Sequence, residues 1–241
     1  MKKNIILLVI FCFLFNSVIA FSQGRRTVEI PKNNYGLQVV SDIELYKKQV
    51  SYNANDELVD LQKFIPGIVL DIKYATADNF VGLPLYSLPK AYLRKPVAEA
   101  LLRIQEVLKT RNLGLKIFDA YRPYSVTLKF YEKIKDTNFV ASPWSGSRHN
   151  RGAAVDLTLI DLKDNAELTM PTKFDDFSDK ASPTYINLSI TVLKNRNLLI
   201  QLMQKYGFTV NPNEWWHYDY EGWSKFPVTD IKFEELEKLN K

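Results

Sequence analysis

The chain has 241 residues, a formal charge of +5, 46% hydrophobic and 24% charged residues. This is the balance of a globular protein with enough apolar content for a sizeable core. Two of the positive charges, Lys2 and Lys3, lie in an expected leader that carries no acid, which leaves a mild +3 on the mature chain. With no basic stripe interleaved with aromatics, nucleic acid is excluded as a partner. Cys12 is the one cysteine and also falls in the leader, so disulfide and thiol chemistry are excluded from a mature chain suited to an oxidising compartment.

Residues 1–22 run from Lys2-Lys3 through an apolar stretch, Ile5 to Phe15, to Asn16-Ser17-Val18-Ile19-Ala20. They read as a secretory signal peptide, cleaved after Ala20 or Ser22. The apolar run is too short for an uncleaved anchor, and Phe11 before Cys12 is wrong for a lipoprotein, so no stable membrane anchor is expected after cleavage. Residues 23–56 are polar and weakly patterned, a mobile or family-variable lead-in with room for a short helix over Ile43 to Val50. Ile68 to Tyr74 reads as a strand and 75–84 as a loop. Pro96 can open a helix, and Val97, Leu101, Ile104 and Leu108 recur at helical spacing up to Lys109. Gly114 breaks the pattern, Leu115 to Ala120 reads as a strand, and Pro123 starts a helix running to about Ile134. After a polar loop over 136–151, Ala153, Val155, Leu157 and Leu159 alternate with Ala154, Asp156, Thr158 and Ile160, a strand, with a hairpin tip over Asp161 to Glu167. Leu193 to Tyr206 forms a helix stopped by Gly207. Phe208 to Val210 leads to the turn Asn211-Pro212-Asn213, and Tyr218 to Tyr220 continues a strand. Residues 224–241 read as a charged, partly helical tail without evident chemistry. The elements do not alternate as βαβ units. The expected fold is a single α+β domain over 57–223, with helices packed on a small, mainly antiparallel sheet.

The chain has two histidines, and each stands near acidic residues: Ser147-Arg148-His149-Asn150-Arg151-Gly152-Ala153-Ala154-Val155-Asp156 and Glu214-Trp215-Trp216-His217. A catalytic zinc takes three protein ligands of imidazole or carboxylate type and keeps one position open. His149, Asp156 and His217 supply such a set for one zinc per chain, and a single carboxylate leaves it net positive, which favours acidifying a water. Gly152 permits a tight turn between the first two ligands. Glu214, three residues before His217, is the candidate general base, and Trp215 and Trp216 would wall the site and keep it dry.

These blocks resemble the zinc D-alanyl-D-alanine dipeptidases, within a wider group that includes D-Ala-D-Ala carboxypeptidases and the hedgehog signalling domain. The resemblance rests on Ser147-x-His149-x-x-Gly152-x-Ala154-x-Asp156 and Glu214-x-Trp216-His217. It extends to Lys73-Tyr74-Ala75-Thr76 with Asp78-Asn79-Phe80, Asp119-Ala120-Tyr121-Arg122-Pro123, and Phe174-Asp175. It implies that Arg122 stabilises the tetrahedral intermediate, that Asp175 receives the substrate ammonium, and that Tyr74 and Ser147 help define the pocket. Taken alone, Arg122 could be a surface ion pair and Ser147 a turn hydroxyl. Two positions depart from the family pattern: Arg148, where a small residue is usual, and Pro171, where glycine is. The resemblance implies hydrolysis of a small D,D-dipeptide, and the expected signal peptide places that activity in the periplasm or outside the cell. The alternatives are a D,D- or L,D-carboxypeptidase acting on peptidoglycan stems, and a non-catalytic zinc module of hedgehog type.

Overall fold

The computed structural model describes residues 28–137 and 140–239; the expected leader lies outside them. Nine strands form in chain order: β1 Val39–Val40, β2 Leu58–Asp60, β3 Val69–Leu70, β4 Tyr92–Arg94, β5 Leu113–Asp119, β6 Ala154–Asp161, β7 Phe208–Asn211, β8 Glu214–Tyr220 and β9 Val228–Thr229. The helices are α1 Ile43–Tyr52, α2 Leu61–Phe64, α3 Lys95–Lys109, α4 Tyr124–Ile134, α5 Ile190–Lys205 and α6 Phe233–Leu239. The central sheet has the order β3-β5-β6-β8-β7; β3 is parallel to β5 and every other pair is antiparallel. The fold is thus the expected α+β arrangement.

Helix α3 lies against β5 and α5 against β7, and the two helices touch each other. Pro96 stands in the first turn of α3, where a missing N–H costs nothing. Val97, Leu101, Ile104 and Leu108 are all fully buried. The one polar residue of that face, Gln105, is satisfied: its Oε1 accepts from Leu115 N and its Nε2 donates to Gly67 O. Helix α5 starts three residues earlier than its apolar pattern indicates, because Ser189 caps it by accepting from Val192 N.

Three differences from the sequence reading have physical causes. The strand expected over Ile68 to Tyr74 shrinks to β3, and Tyr74 sits in a 3₁₀ turn, Lys73–Ala75, with its ring packed among Phe80, Tyr86, Phe130 and Phe174. The short helix allowed over Ile43 to Val50 forms as α1, but the lead-in that carries it packs on the core: its buried Tyr46 accepts from Leu58 N through its hydroxyl. The segment read as a tail is also core. Phe226, Val228, Ile231, Phe233 and Leu236 are buried, and β9 pairs in parallel with β1.

Arg94 binds these chain ends to the centre. Fully buried, it donates from Nε to Arg151 O at 2.8 Å and from Nη2 to Thr229 Oγ1 at 2.7 Å, and it also reaches Asp56 O. Gly152 packs against it with φ +65°. A Cβ there would lie 2.5 Å from Leu58 Cδ2 and 3.4 Å from Arg94 Cγ. Gly152→Ala therefore combines left-handed strain with overpacking and should cost about 2–4 kcal/mol, read as a lowered Tm. Gly36→Ala, at φ +76° with open space around it, should cost only the strain; equal losses in the two variants would refute the packing part of the argument.

Candidate metal centre

Sheet register builds the centre. Asp156 on β6 stands directly opposite His217 on β8 and opposite Asp119 on β5. Directly opposed residues of antiparallel strands project from the same face, so three polar side chains form a row across the sheet. His149 joins them from a 3₁₀ turn, His149–Arg151, closed by Gly152 in the left-handed region.

His149 Nδ1 lies 2.7 Å from Ala120 O. It must donate there, which leaves Nε2 as a lone pair. His217 Nε2 lies 3.0 Å from Asp219 Oδ1, which in the same way turns Nδ1 inward as a lone pair. The inner atoms are close together: His149 Nε2 to His217 Nδ1 3.1 Å, His217 Nδ1 to Asp156 Oδ1 2.9 Å, and His149 Nε2 to Asp156 Oδ1 3.4 Å. Asp156 Oδ1 is buried, and among the described residues no hydrogen-bond donor other than these ring nitrogens reaches it. Such a cluster of acceptors needs a shared cation. A proton on His217 satisfies one pair; a metal ion satisfies all three. Ligand atoms on a tetrahedral zinc stand about 3.3 Å apart, so the set fits. Among the described residues it is the one His/Cys/Asp/Glu group found with metal-ligand spacing.

Electrostatics agree with a cation at this point. Burial alone would raise the Asp156 carboxyl, but the two imidazoles outweigh it and hold the carboxyl well below its ordinary value. Burial would lower the His217 imidazole, yet Asp156 and Asp219 raise it well above its usual range.

Glu214 Oε2 lies 3.8 Å from His217 Nδ1, near the ligand set without belonging to it. In a regular strand, residues three apart face opposite sides. Here the β7–β8 register shifts between Val210 and Asn211, so that Asn211 pairs with Glu214 while Val210 pairs with Tyr218. The irregularity lets Glu214 and His217 share one side. Asn211 Nδ2 donates to Glu214 Oε2 at 3.3 Å, and burial raises the Glu214 carboxyl.

Arg122 is buried, and the surface ion pair left open by the sequence is excluded. Its Nε and Nη2 both donate to Asp119 Oδ2, at 3.1 and 2.6 Å, and its guanidinium lies over the rings of Phe130 and Tyr74. Burial would lower its pKa; Asp119 more than offsets this and keeps the cation charged. Asp119 is itself held by Tyr86 Oη and Ala120 N. Tyr74 Oη donates to Asp175 Oδ1 at 3.1 Å, and burial together with the Asp156 charge pushes the Asp175 carboxyl up to about 7. Ser147 borders the cleft, and its hydroxyl accepts from His149 N, which supports the turn and leaves its O–H to donate. Arg148 also borders the cleft, with its guanidinium turned to Asp219 and the Trp223 ring. Trp216 walls the cavity; Trp215 is buried and donates to Thr172 Oγ1. The ligands, Glu214, Arg122, Asp175 and Tyr74 all line one cavity of about 690 Å³.

Sequence reasoning missed the roles of Asp119, Asn150, Asn211 and Asp219. Asn150 is fully buried and ties the metal turn to α4, donating to Arg122 O and Thr127 Oγ1. Asp119 stands three residues before Arg122, a local signal for the pair. Asp219 carried a similar local signal, two residues after His217 on one strand; the partners of Asn150 are distant in the chain, and that of Asn211 is hidden by the bulge.

A mixed sheet with two imidazoles and a carboxylate converging on one cation position, a carboxylate beside them and a buried arginine, defines a zinc-dependent hydrolase. The model of the D-ala-D-ala dipeptidase family matches residues 54–234, and the chain belongs to that family. It is 32% identical over 177 residues to the D-alanyl-D-alanine dipeptidase of Escherichia coli (strain K12), covering 73% of this chain and 91% of that protein. The dipeptidases of Enterococcus faecium and Enterococcus faecalis (strain ATCC 700802 / V583) are 31% and 30% identical over 178 residues, each covering 66% of this chain and 88% of theirs.

Proposed function

We propose that the chain hydrolyses free D-alanyl-D-alanine outside the cytoplasmic membrane, with residues 1–22 directing export. The observation that carries the substrate reading is Asp175, a carboxylate in the same cavity as the metal ligands and Arg122. A free dipeptide brings an ammonium, and a carboxylate placed in the pocket is the direct means of recognising it. The ammonium in turn restores the ionised form that burial opposes at Asp175.

His149, Asp156 and His217 would hold zinc, which supplies Lewis acidity and makes a water acidic enough to attack near neutral pH. Glu214 takes a proton from the attacking water and later delivers it to the leaving amine. Arg122 uses one edge of its guanidinium on Asp119, leaving Nη1 for the oxygen that gains charge. One such donor is worth on the order of 10²–10³ in rate. Tyr74 holds Asp175 in place, and Trp216 limits water.

The cavity volume favours a second reading. A dialanine fills only part of about 690 Å³, so a longer stem peptide has space. Release of D-alanine by the zinc-loaded protein from D-Ala-D-Ala and from its N-acetyl derivative separates the two. The expected result is cleavage of the free dipeptide and weak or no cleavage of the blocked one. Preference for the blocked peptide would replace the dipeptidase reading with a carboxypeptidase. Cell fractionation tests the location, and activity retained in the cytoplasm would refute export.

A further inference from the structure

The two ligand imidazoles are backed differently. His149 gives its outer proton to a neutral acceptor, Ala120 O, with the Asp119 carboxylate farther off at 3.7 Å. His217 has a carboxylate as its direct partner, Asp219 Oδ1 at 3.0 Å. Asp219 follows His217 by two residues on β8, so both project from one face, and it stands opposite Ala154, whose small side chain leaves space. The second oxygen, Oδ2, faces Arg148 Nε at 3.5 Å. The Arg148 guanidinium lies over the Trp223 ring at 4.8 Å, and Arg151 lies over the same ring at 5.4 Å.

We propose that Asp219 and Arg148 form an outer clamp on the metal centre, with Asp219 as the positioning residue that orients His217 and makes it a better ligand. The reasoning rests on the zinc site described above and not on the identity of the substrate. A carboxylate on the outer nitrogen of a ligating imidazole fixes its tautomer and ring angle and raises its basicity, and loss of such a partner typically costs about 10–100-fold in metal affinity. Arg148 adds a second effect. It immediately precedes His149, whereas Asp219 belongs to the strand of His217. The pair therefore joins the two chain segments that must meet around the ion, and reduces the freedom lost on binding. Arg148 is half exposed, at 50%, and Asp219 less so, at 22%. An ion pair this open contributes little by itself, so its effect passes through the orientation of Asp219. This gives the departure at Arg148 a role outside the substrate pocket.

The test is zinc affinity of the full chain by competition with a chromophoric chelator. Asp219→Ala should weaken binding about 10–100-fold. Asp219→Asn keeps an acceptor for the ring proton but loses the charge and should fall between that and the parent. Arg148→Ala should weaken binding by only about two- to fivefold. A second readout is the His217 Nε2 proton resonance of the zinc-loaded protein, which should move upfield in Asp219→Ala and exchange faster. If Asp219→Ala does not fold, Asp219→Asn and Arg148→Ala carry the test. Zinc affinity within twofold of the parent in whichever Asp219 variant folds, or an unmoved Nε2 resonance, overturns the proposal. Because no readout involves turnover, failure of the dipeptidase assay would leave this test intact.

Discussion

Glu214→Gln should lower kcat on the order of 10²–10⁴-fold while leaving zinc content at one per chain. Glutamine has the same shape, and its amide oxygen can still accept the bond that Asn211 Nδ2 makes to Oε2. The ligand set of His149, Asp156 and His217 does not include Glu214, so metal binding is preserved. What the variant loses is a group able to take a proton and give it back. Burial raises the Glu214 carboxyl from its ordinary value, which brings its proton affinity closer to that needed near neutral pH. Turnover at saturating substrate, measured beside metal content on the same sample, checks this. Activity near that of the parent would remove Glu214 from the mechanism. Loss of zinc together with activity would instead move Glu214 into the ligand set.

His217→Ala should abolish zinc binding and activity together. Two ligands, His149 and Asp156, would remain, and the lost affinity should exceed the ~10–100-fold expected when only an outer partner is removed. The variant also leaves Asp156 Oδ1 without its nearest neighbour, the ring nitrogen at 2.9 Å, in a place where burial opposes the charge. A buried carboxylate deprived of its partner is destabilising, so Tm should fall in the metal-free protein as well. Metal analysis after dialysis at a fixed free zinc concentration is the measurement. Full occupancy would refute the ligand set. Set beside Asp219→Ala, the variant separates a ligand from its support: one should lose zinc outright and the other hold it more weakly.

Chemistry at the centre was legible because it is concentrated. With only two histidines in 241 residues, His217 three positions after Glu214 and His149 seven before Asp156, the choice of nitrogen ligands was almost forced. Asp156 followed from its place in an alternating stretch, and α3 from Pro96 and a regular apolar spacing. Arg122 and Asp175 were assigned roles by resemblance alone, since an arginine after a strand and an acid in a loop carry no signal of burial. Burial of Arg122 against Asp119 depends on β5 lying beside β6 and on the aromatic rings of Tyr74 and Phe130 closing over the guanidinium.

By itself, then, the sequence determined the ligand types, the helices with strong periodicity and the order of the blocks, because these depend on residues close together in the chain. Only the tertiary structure decided which side chains meet. It set Asp156 opposite His217, turned Glu214 to the same side through an irregular β7–β8 pairing, and brought Asp219 and Arg148 together behind one ligand. It also showed that the ends read as lead-in and tail pack on the core, joined through the buried Arg94, which reaches Asp56 O on one side and Thr229 Oγ1 on the other. The reason is physical. Strand register and packing between distant segments depend on the free energy of the whole fold, and no local pattern of residue types contains that information.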